Sequence, residues 1–188
     1  MFAGKYTSVR SSAESIGEAV ASPATFYASN ANDWCKDPYN NLWTVTCDPE
    51  KSGRDQDDLT MRKSIYDPSP VGYKVPAPNA FLNFDKNTAN NYDKFGWEFP
   101  ADNKATIYFP APCYIENSKG FIEGSFGETG RYGTIGLDKS ASGSVALYFN
   151  IDKDNANIQA NLNHERSYGT AIRPVSNSSK PYNPVLTY

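Results

Sequence analysis

The chain has 188 residues, 39% of them hydrophobic and 21% charged, which is the material of one ordinary globular domain with a core. Thirteen glycines and thirteen prolines argue against an all-helical bundle, and a net charge of −3 leaves no electrostatic footprint for nucleic acid. No apolar run is long enough to span a bilayer, so direct membrane insertion is not expected.

In chain order, Met1 to Lys5 carries no apolar leader core, which leaves a cytoplasmic product, a phage protein or a trimmed mature domain as alternatives. Ser11 to Val20 (SSAESIGEAV) predicts a short amphipathic helix with Ile16, Ala19 and Val20 on one face, stopped by Pro23. Ala24 to Tyr27 reads as extended. From Ser29 to Asp58 the chain is polar, and Trp34, Leu42 and Trp43 are read as pegs that pin an irregular loop to a core. Glu50 to Asp58 has no apolar residue and is expected to be mobile. At Ile65 to Pro76, two prolines frame a turn, after which Val71, Tyr73 and Val75 alternate as a strand does. Ala80 to Asp93 is Asn-rich.

Four short strands are then predicted at Gly96 to Phe99, Ala105 to Phe109, Gly120 to Ile122 and Ser144 to Asn150. Asn150 to His164 is strongly polar, and Gly169 to Val175 is read as a last alternating strand. The expectation is a single α+β domain over 1–176, with short helices around a small mixed or antiparallel sheet and long irregular loops. Residues 177–188 are expected to form a loosely ordered tail.

Few residues carry recognisable chemistry. A single histidine, His164, excludes His-based zinc sites and argues against a nucleophile–histidine triad. Cys35 and Cys47 lie in loop-like surroundings and form a candidate short disulfide for an oxidising compartment, with Cys113 left over. Glu98, Asp102, Glu123 and Glu128 fall near predicted strand ends, at no spacing that marks an acid–base pair. Asp152, Asp154 and Asn157 alternate oxygen ligands, yet the glycine and closing glutamate of a calcium loop are missing. Gly127 to Gly136 lacks the Gly-Lys-Ser/Thr of a phosphate loop and reads as a hairpin turn. No cofactor and no metal site are expected. Between Tyr132 and Thr170, Tyr, Ser, Thr, Asn, Asp and Gly interleave with a thin apolar skeleton. Binding surfaces have that composition, and so do ordinary polar loops.

Ile65 to Pro76 (IYDPSPVGYKVP) resembles the "YDPCPxGYxVP" signature of the Fibrobacter succinogenes major paralogous domain, a family of Bacteroidales surface and phage proteins. Arg166 to Val175 (RSYGTAIRPV) is similar to its "RxxGxxVRPV" close, and Ala146 to Asn150 (ALYFN) to its "AYxLxFN" strand. Glu14 to Tyr27, with Asp33-Trp34 and Leu42-Trp43, resembles its opening. The resemblance implies a C-type-lectin-like fold, in the form shared with formylglycine-generating enzymes. It also implies kinship with the variable proteins of diversity-generating retroelements. On that reading Tyr132, Gly133, Thr134, Gly136, Asp138, Tyr148, Asn150 and Asp152 are expected to face a ligand, with Arg173 and Val175 as scaffold. Two positions depart from the pattern: Ser69 replaces the cysteine of "DPCP", and Tyr132-Gly133-Thr134-Ile135 stands where "YWSS" is usual.

The function implied is a non-enzymatic recognition module at a cell surface, a fimbrial tip or a phage tail, bound to a protein or glycan on a target cell. The alternatives are a structural subunit of a fimbria or tail fibre, and an enzyme of the formylglycine-generating kind. The oligomeric state is left open.

Overall fold

The structure is a computed structural model that describes residues 8–29, 33–37, 39, 41–46, 61–81, 84, 87–89, 95–101, 104–137, 145–152 and 159–177. Over these residues the protein is mostly sheet with few helices. It opens with β1 (Ser8–Ser11), α1 (Ile16–Ala21) and β2 (Thr25–Ala28), and the two strands pair in parallel across the helix. The helix is shorter than the expected Ser11–Val20. Ser11 belongs to β1, and Ala13 bridges Cys35. The helix starts where Ser15, in extended conformation, accepts the Glu18 N–H at 3.3 Å, while Glu18 Oε2 accepts the Glu14 N–H at 2.8 Å. Ser15-x-x-Glu18 is a capping spacing that ends the extended run and starts the helix.

The expected strand through Val71, Tyr73 and Val75 shrinks to β3 (Tyr73–Lys74). Tyr73 N–H closes a turn on the Pro70 carbonyl at 3.0 Å, with Gly72 at φ +84°, a conformation that favours glycine. Val71 therefore sits at the tip of the turn, almost fully exposed, whereas Val75 is fully buried. A 3-10 turn (Pro78–Phe81) follows.

The expected Gly96–Phe99 and Ala105–Phe109 strands form as β4 (Gly96–Pro100) and β5 (Thr106–Pro110), paired antiparallel with Trp97 opposite Phe109. Gly96 is required there: a Cβ would lie 2.2 Å from the Phe109 carbonyl oxygen and 2.8 Å from Pro110 Cα. A small ladder of β6 (Tyr114–Ile115) and β7 (Ile122–Glu123) leads to the largest sheet. That sheet joins β8 (Thr129–Leu137), β9 (Val145–Asp152) and β10 (Gln159–Glu165) as an antiparallel meander in the order β10-β9-β8.

One expectation fails in this sheet. The glycine-rich segment 127–136, read as a hairpin turn, supplies most of β8, and the polar segment 150–164, for which no element is predicted, supplies most of β10. Ladder pairing overrides weak local strand propensity here. Gly169 to Val175, expected as a regular strand, makes only isolated bridges from Gly169 to Ile115 and from Ala171 to Tyr132. The short β11 (Val175–Ser176) then pairs with β3. The outer edge of β8 is covered by the Ala171 bridge and by the chain at Pro76: Gly133 N–H donates to the Ala171 carbonyl at 2.9 Å, and Ile135 N–H to the Pro76 carbonyl at 3.0 Å. An edge strand capped in this way no longer offers an open ladder.

The core lies in two clusters on either side of β8. One joins Phe81, Trp97, Phe99, Phe109, Ala111 and Tyr132. The other joins Met61, Val75, Ala77 and Ile135, with Trp43 and Ile172 packed against it. Tyr132 and Ile135 are three residues apart, so a regular strand would point them to opposite faces. The pairing register shifts between Gly133 and Leu137, within this stretch.

The signature segment forms a clasp that holds the turn to the second cluster. Asp67 has a fully buried carboxylate that accepts the N–H of Ser69 at 2.7 Å and of Val75 at 2.9 Å, with Lys63 Nζ 3.5 Å away. Lys63 also donates to the carbonyls of Ser69, Pro70 and Tyr73. Lys74 is buried with its Nζ on the Met61 carbonyl at 2.9 Å.

Candidate functional site

A cleft of about 330 Å³ opens where the N-terminal βαβ unit, the 33–43 segment, β8 and the 166–172 segment meet. Its walls are aromatic: Phe26, Tyr27, Trp34, Tyr39, Trp43 and Tyr168 all line it. Thr134, Ile135 and Gly136 of β8 line it too, with Thr134 and Ile135 almost fully buried. The residues read as pegs therefore do pin their loop, and in doing so they build a wall.

Local bonds explain how a polar, Asn-rich loop is held in place. Ala13 N–H donates to the Trp34 carbonyl and Lys36 N–H to the Ala13 carbonyl, both at 2.9 Å. Tyr27 and Trp34 pack with ring centres 6.5 Å apart. Further along, Ser64 N–H donates to the Trp43 carbonyl at 3.1 Å, and Val45 N–H to the Arg62 carbonyl at 3.0 Å. On the opposite wall Ile115 and Gly169 exchange both backbone bonds, at 2.8 and 3.0 Å.

Asp33 and Arg166 are the charged side chains of the lining, and they are paired to each other with Nη2 to Oδ2 at 2.5 Å. Asp33 Oδ1 also accepts the Cys35 N–H at 3.1 Å, and Arg166 Nη1 donates to the Tyr39 carbonyl at 3.2 Å. Arg166 thus ties the 33–39 loop to the end of β10. At the cleft edge the Arg131 guanidinium sits 3.5 Å from the Tyr114 ring centre and 5.4 Å from that of Tyr168. Burial pushes the Tyr168 hydroxyl pKa up, Glu165 adds to this, and Arg131 opposes it.

The structure divides the sequence-predicted ligand residues. Thr134 and Gly136 line the cleft. Gly133 is buried in β8, opposite Tyr148 of β9. Asn150 and Asp152 stand opposite Arg131 and Thr129 in the same ladder. Asp138 lies outside the described residues, as do the segment 50–58, expected to be mobile, and the oxygen-bearing Asp154 and Asn157.

Tyr132, expected to face a ligand, lies in the core instead. It is 3% exposed, its ring meets Phe109 edge-on at 5.0 Å, and its hydroxyl donates to the Pro110 carbonyl. Because the 169–172 segment covers β8, the side chain expected to face a ligand belongs to the core. The two expected scaffold residues are also placed: Arg173 lies with its guanidinium 5.2 Å from the Phe109 ring centre, and Val175 starts β11.

Burial holds the Tyr132 hydroxyl neutral far above its ordinary pKa of 10. A group whose folded-state pKa is raised contributes stability that is fully present below the unfolded value and is lost as pH rises above it. Unfolding free energy is therefore expected to fall as pH climbs above 10, and Tyr132→Phe is expected to flatten that decline. At neutral pH the same substitution should cost about 1 kcal/mol through the lost hydrogen bond. Chemical denaturation at several pH values measures both effects.

Cys35 is buried, carries a free thiol and lines the cleft, while its expected mate Cys47 lies outside the described residues. Cys113 is buried with its thiol 3.5 Å from the Gly124 carbonyl oxygen, and burial pushes its pKa up. Among the described residues no group of three or more His, Cys, Asp or Glu side chains could hold a metal ion. None of their helices is long and apolar enough to cross a membrane.

No family model, curated protein or solved structure matches this chain. The cleft residues that sequence reading missed as a site are Phe26, Tyr27, Asp33, Tyr39, Arg166 and Tyr168. Four of them are aromatic residues placed at intervals in polar segments, and Asp33 and Arg166 fall in the motif segments, but neither signal says that these distant segments converge.

Proposed function

We propose that this chain is a non-enzymatic recognition module of C-type-lectin-like kind. The observation that carries the reading is the aromatic cleft, whose lining includes Thr134 and Gly136, two of the residues expected to face a ligand. Ligand pockets combine apolar and aromatic walls with a few placed polar groups on rigid elements. The partner is a protein or glycan on a target cell surface, as for an adhesin or receptor-binding domain at a cell surface or phage tail. The motifs of Ile65 to Pro76 and Arg166 to Val175 support kinship with variable proteins of diversity-generating retroelements. Against a formylglycine-generating kind of enzyme stands the Cys113 thiol, which burial makes a poor nucleophile at neutral pH.

Saturable binding of the purified chain to glycan arrays or bacterial cells is the expected result, measured with and without calcium. Tyr148→Ala should weaken that binding while leaving the melting temperature nearly unchanged. Equal loss of both would make Tyr148 a core residue like Tyr132. A well-folded monomer that binds no surface would favour a structural subunit of a fimbria or tail fibre instead.

A further inference from the structure

We infer that the aromatic cleft takes a neutral pyranose ring, which commits the recognition reading above to a glycan and rests on it. Three observations lead there. First, the lining charges cancel: Asp33 and Arg166 face each other at 2.5 Å, and Arg166 is further engaged by the Tyr39 carbonyl. An ionic ligand would have to break that pair inside a partly buried site, where removing one partner of a buried charge pair is strongly unfavourable.

Second, the walls present several aromatic rings from different segments, with Trp34 and Trp43 on one loop and Tyr168 on the other wall. A pyranose carries a face of C–H groups that packs on such rings, because the slightly positive hydrogens meet the negative face of the π-system. Third, hydroxyls are interleaved with those rings. Thr170 is half-buried in the lining, and Tyr39 is 57% exposed. A hydrocarbon occupant would desolvate these groups without returning a hydrogen bond, whereas the ring hydroxyls of a sugar replace the lost water. At about 330 Å³ the cleft holds one or two small rings rather than a folded epitope.

The test uses the fluorescence of the chain's three tryptophans, of which Trp34 and Trp43 line the cleft and Trp97 is buried in the core. The intact chain is titrated with methyl glucoside, methyl galactoside and methyl mannoside, with methyl glucuronide as the anionic counterpart and N-acetylphenylalaninamide, which does not emit in the tryptophan band, as a peptide-like aromatic probe. Saturable change with at least one neutral glycoside, and a much weaker one with the glucuronide, is expected. Tyr39→Ala should weaken the sugar about tenfold, as loss of an aromatic anchor does. Because Tyr39 is largely exposed and Arg166 binds only its backbone carbonyl, that variant should keep the parent melting temperature.

Equal binding of glucuronide and glucoside overturns the inference, and so does binding of the aromatic amide alone. If no glycoside binds but the chain still captures target cells, the sugar inference falls and the recognition reading stands. If neither glycosides nor any surface binds, both fall.

Discussion

Asp67→Ala is expected to lower folding stability by about 3–5 kcal/mol, the cost of breaking a buried charged pair from one side. For a chain of this size that corresponds to a fall in melting temperature of roughly 6–20 °C. The carboxylate is fully buried and has three tasks. It accepts the Ser69 and Val75 N–H groups at 2.7 and 2.9 Å, and it faces Lys63 at 3.5 Å. Truncation leaves two buried donors and a half-buried ammonium without that acceptor. Asp67→Asn should fall between, since its amide oxygen can serve one donor while its NH2 must face another. Thermal unfolding followed by circular dichroism reads the effect. A loss below about 1 kcal/mol, the size of a single ordinary hydrogen bond, would mean that Lys63 alone holds the turn through its carbonyl contacts.

The second large effect is expected at Phe109, which is 2% exposed at the centre of the first core cluster. It meets Phe81, Phe84, Phe99 and Tyr132 edge-on, at ring separations of 6.0, 5.4, 5.7 and 5.0 Å. Edge-to-face pairs add to the burial term, and the cavity left by truncation adds its own cost to the lost burial. Phe109→Ala should therefore cost about 3–5 kcal/mol and Phe109→Leu clearly less. Urea unfolding read through Trp97, a member of the same cluster, measures this. A cost for Phe109→Ala no greater than that of Tyr132→Phe would show that the cluster collapses onto the cavity.

Strands rich in aromatic and β-branched residues are legible in the amino-acid sequence. Gly96 to Phe99 and Ala105 to Phe109 contain Trp, Phe, Tyr and Ile, and form β4 and β5. The start of α1 is legible too, but through Ser15 and Glu18 rather than the longer apolar stripe from Ser11. The polar strand β10 and the glycine-rich β8 are not, because neither has the local propensity that pattern reading relies on. What makes them strands is their pairing with β9, a contact between segments whose order in space the local pattern does not encode.

The candidate site follows the same division. Pattern alone is enough to expect Trp34, Leu42 and Trp43 to anchor their polar loop, the Asp67 turn to be tight, and β9 to form. That Trp34, Trp43 and Tyr168 meet around one cleft, and that Thr134 lines it while Tyr132 enters the core, follows from long-range packing. An alternating pattern says that a strand has two faces. It does not say which later segment will cover its edge, and here Gly169 to Ile172, arriving from more than thirty residues downstream of β8, makes that choice.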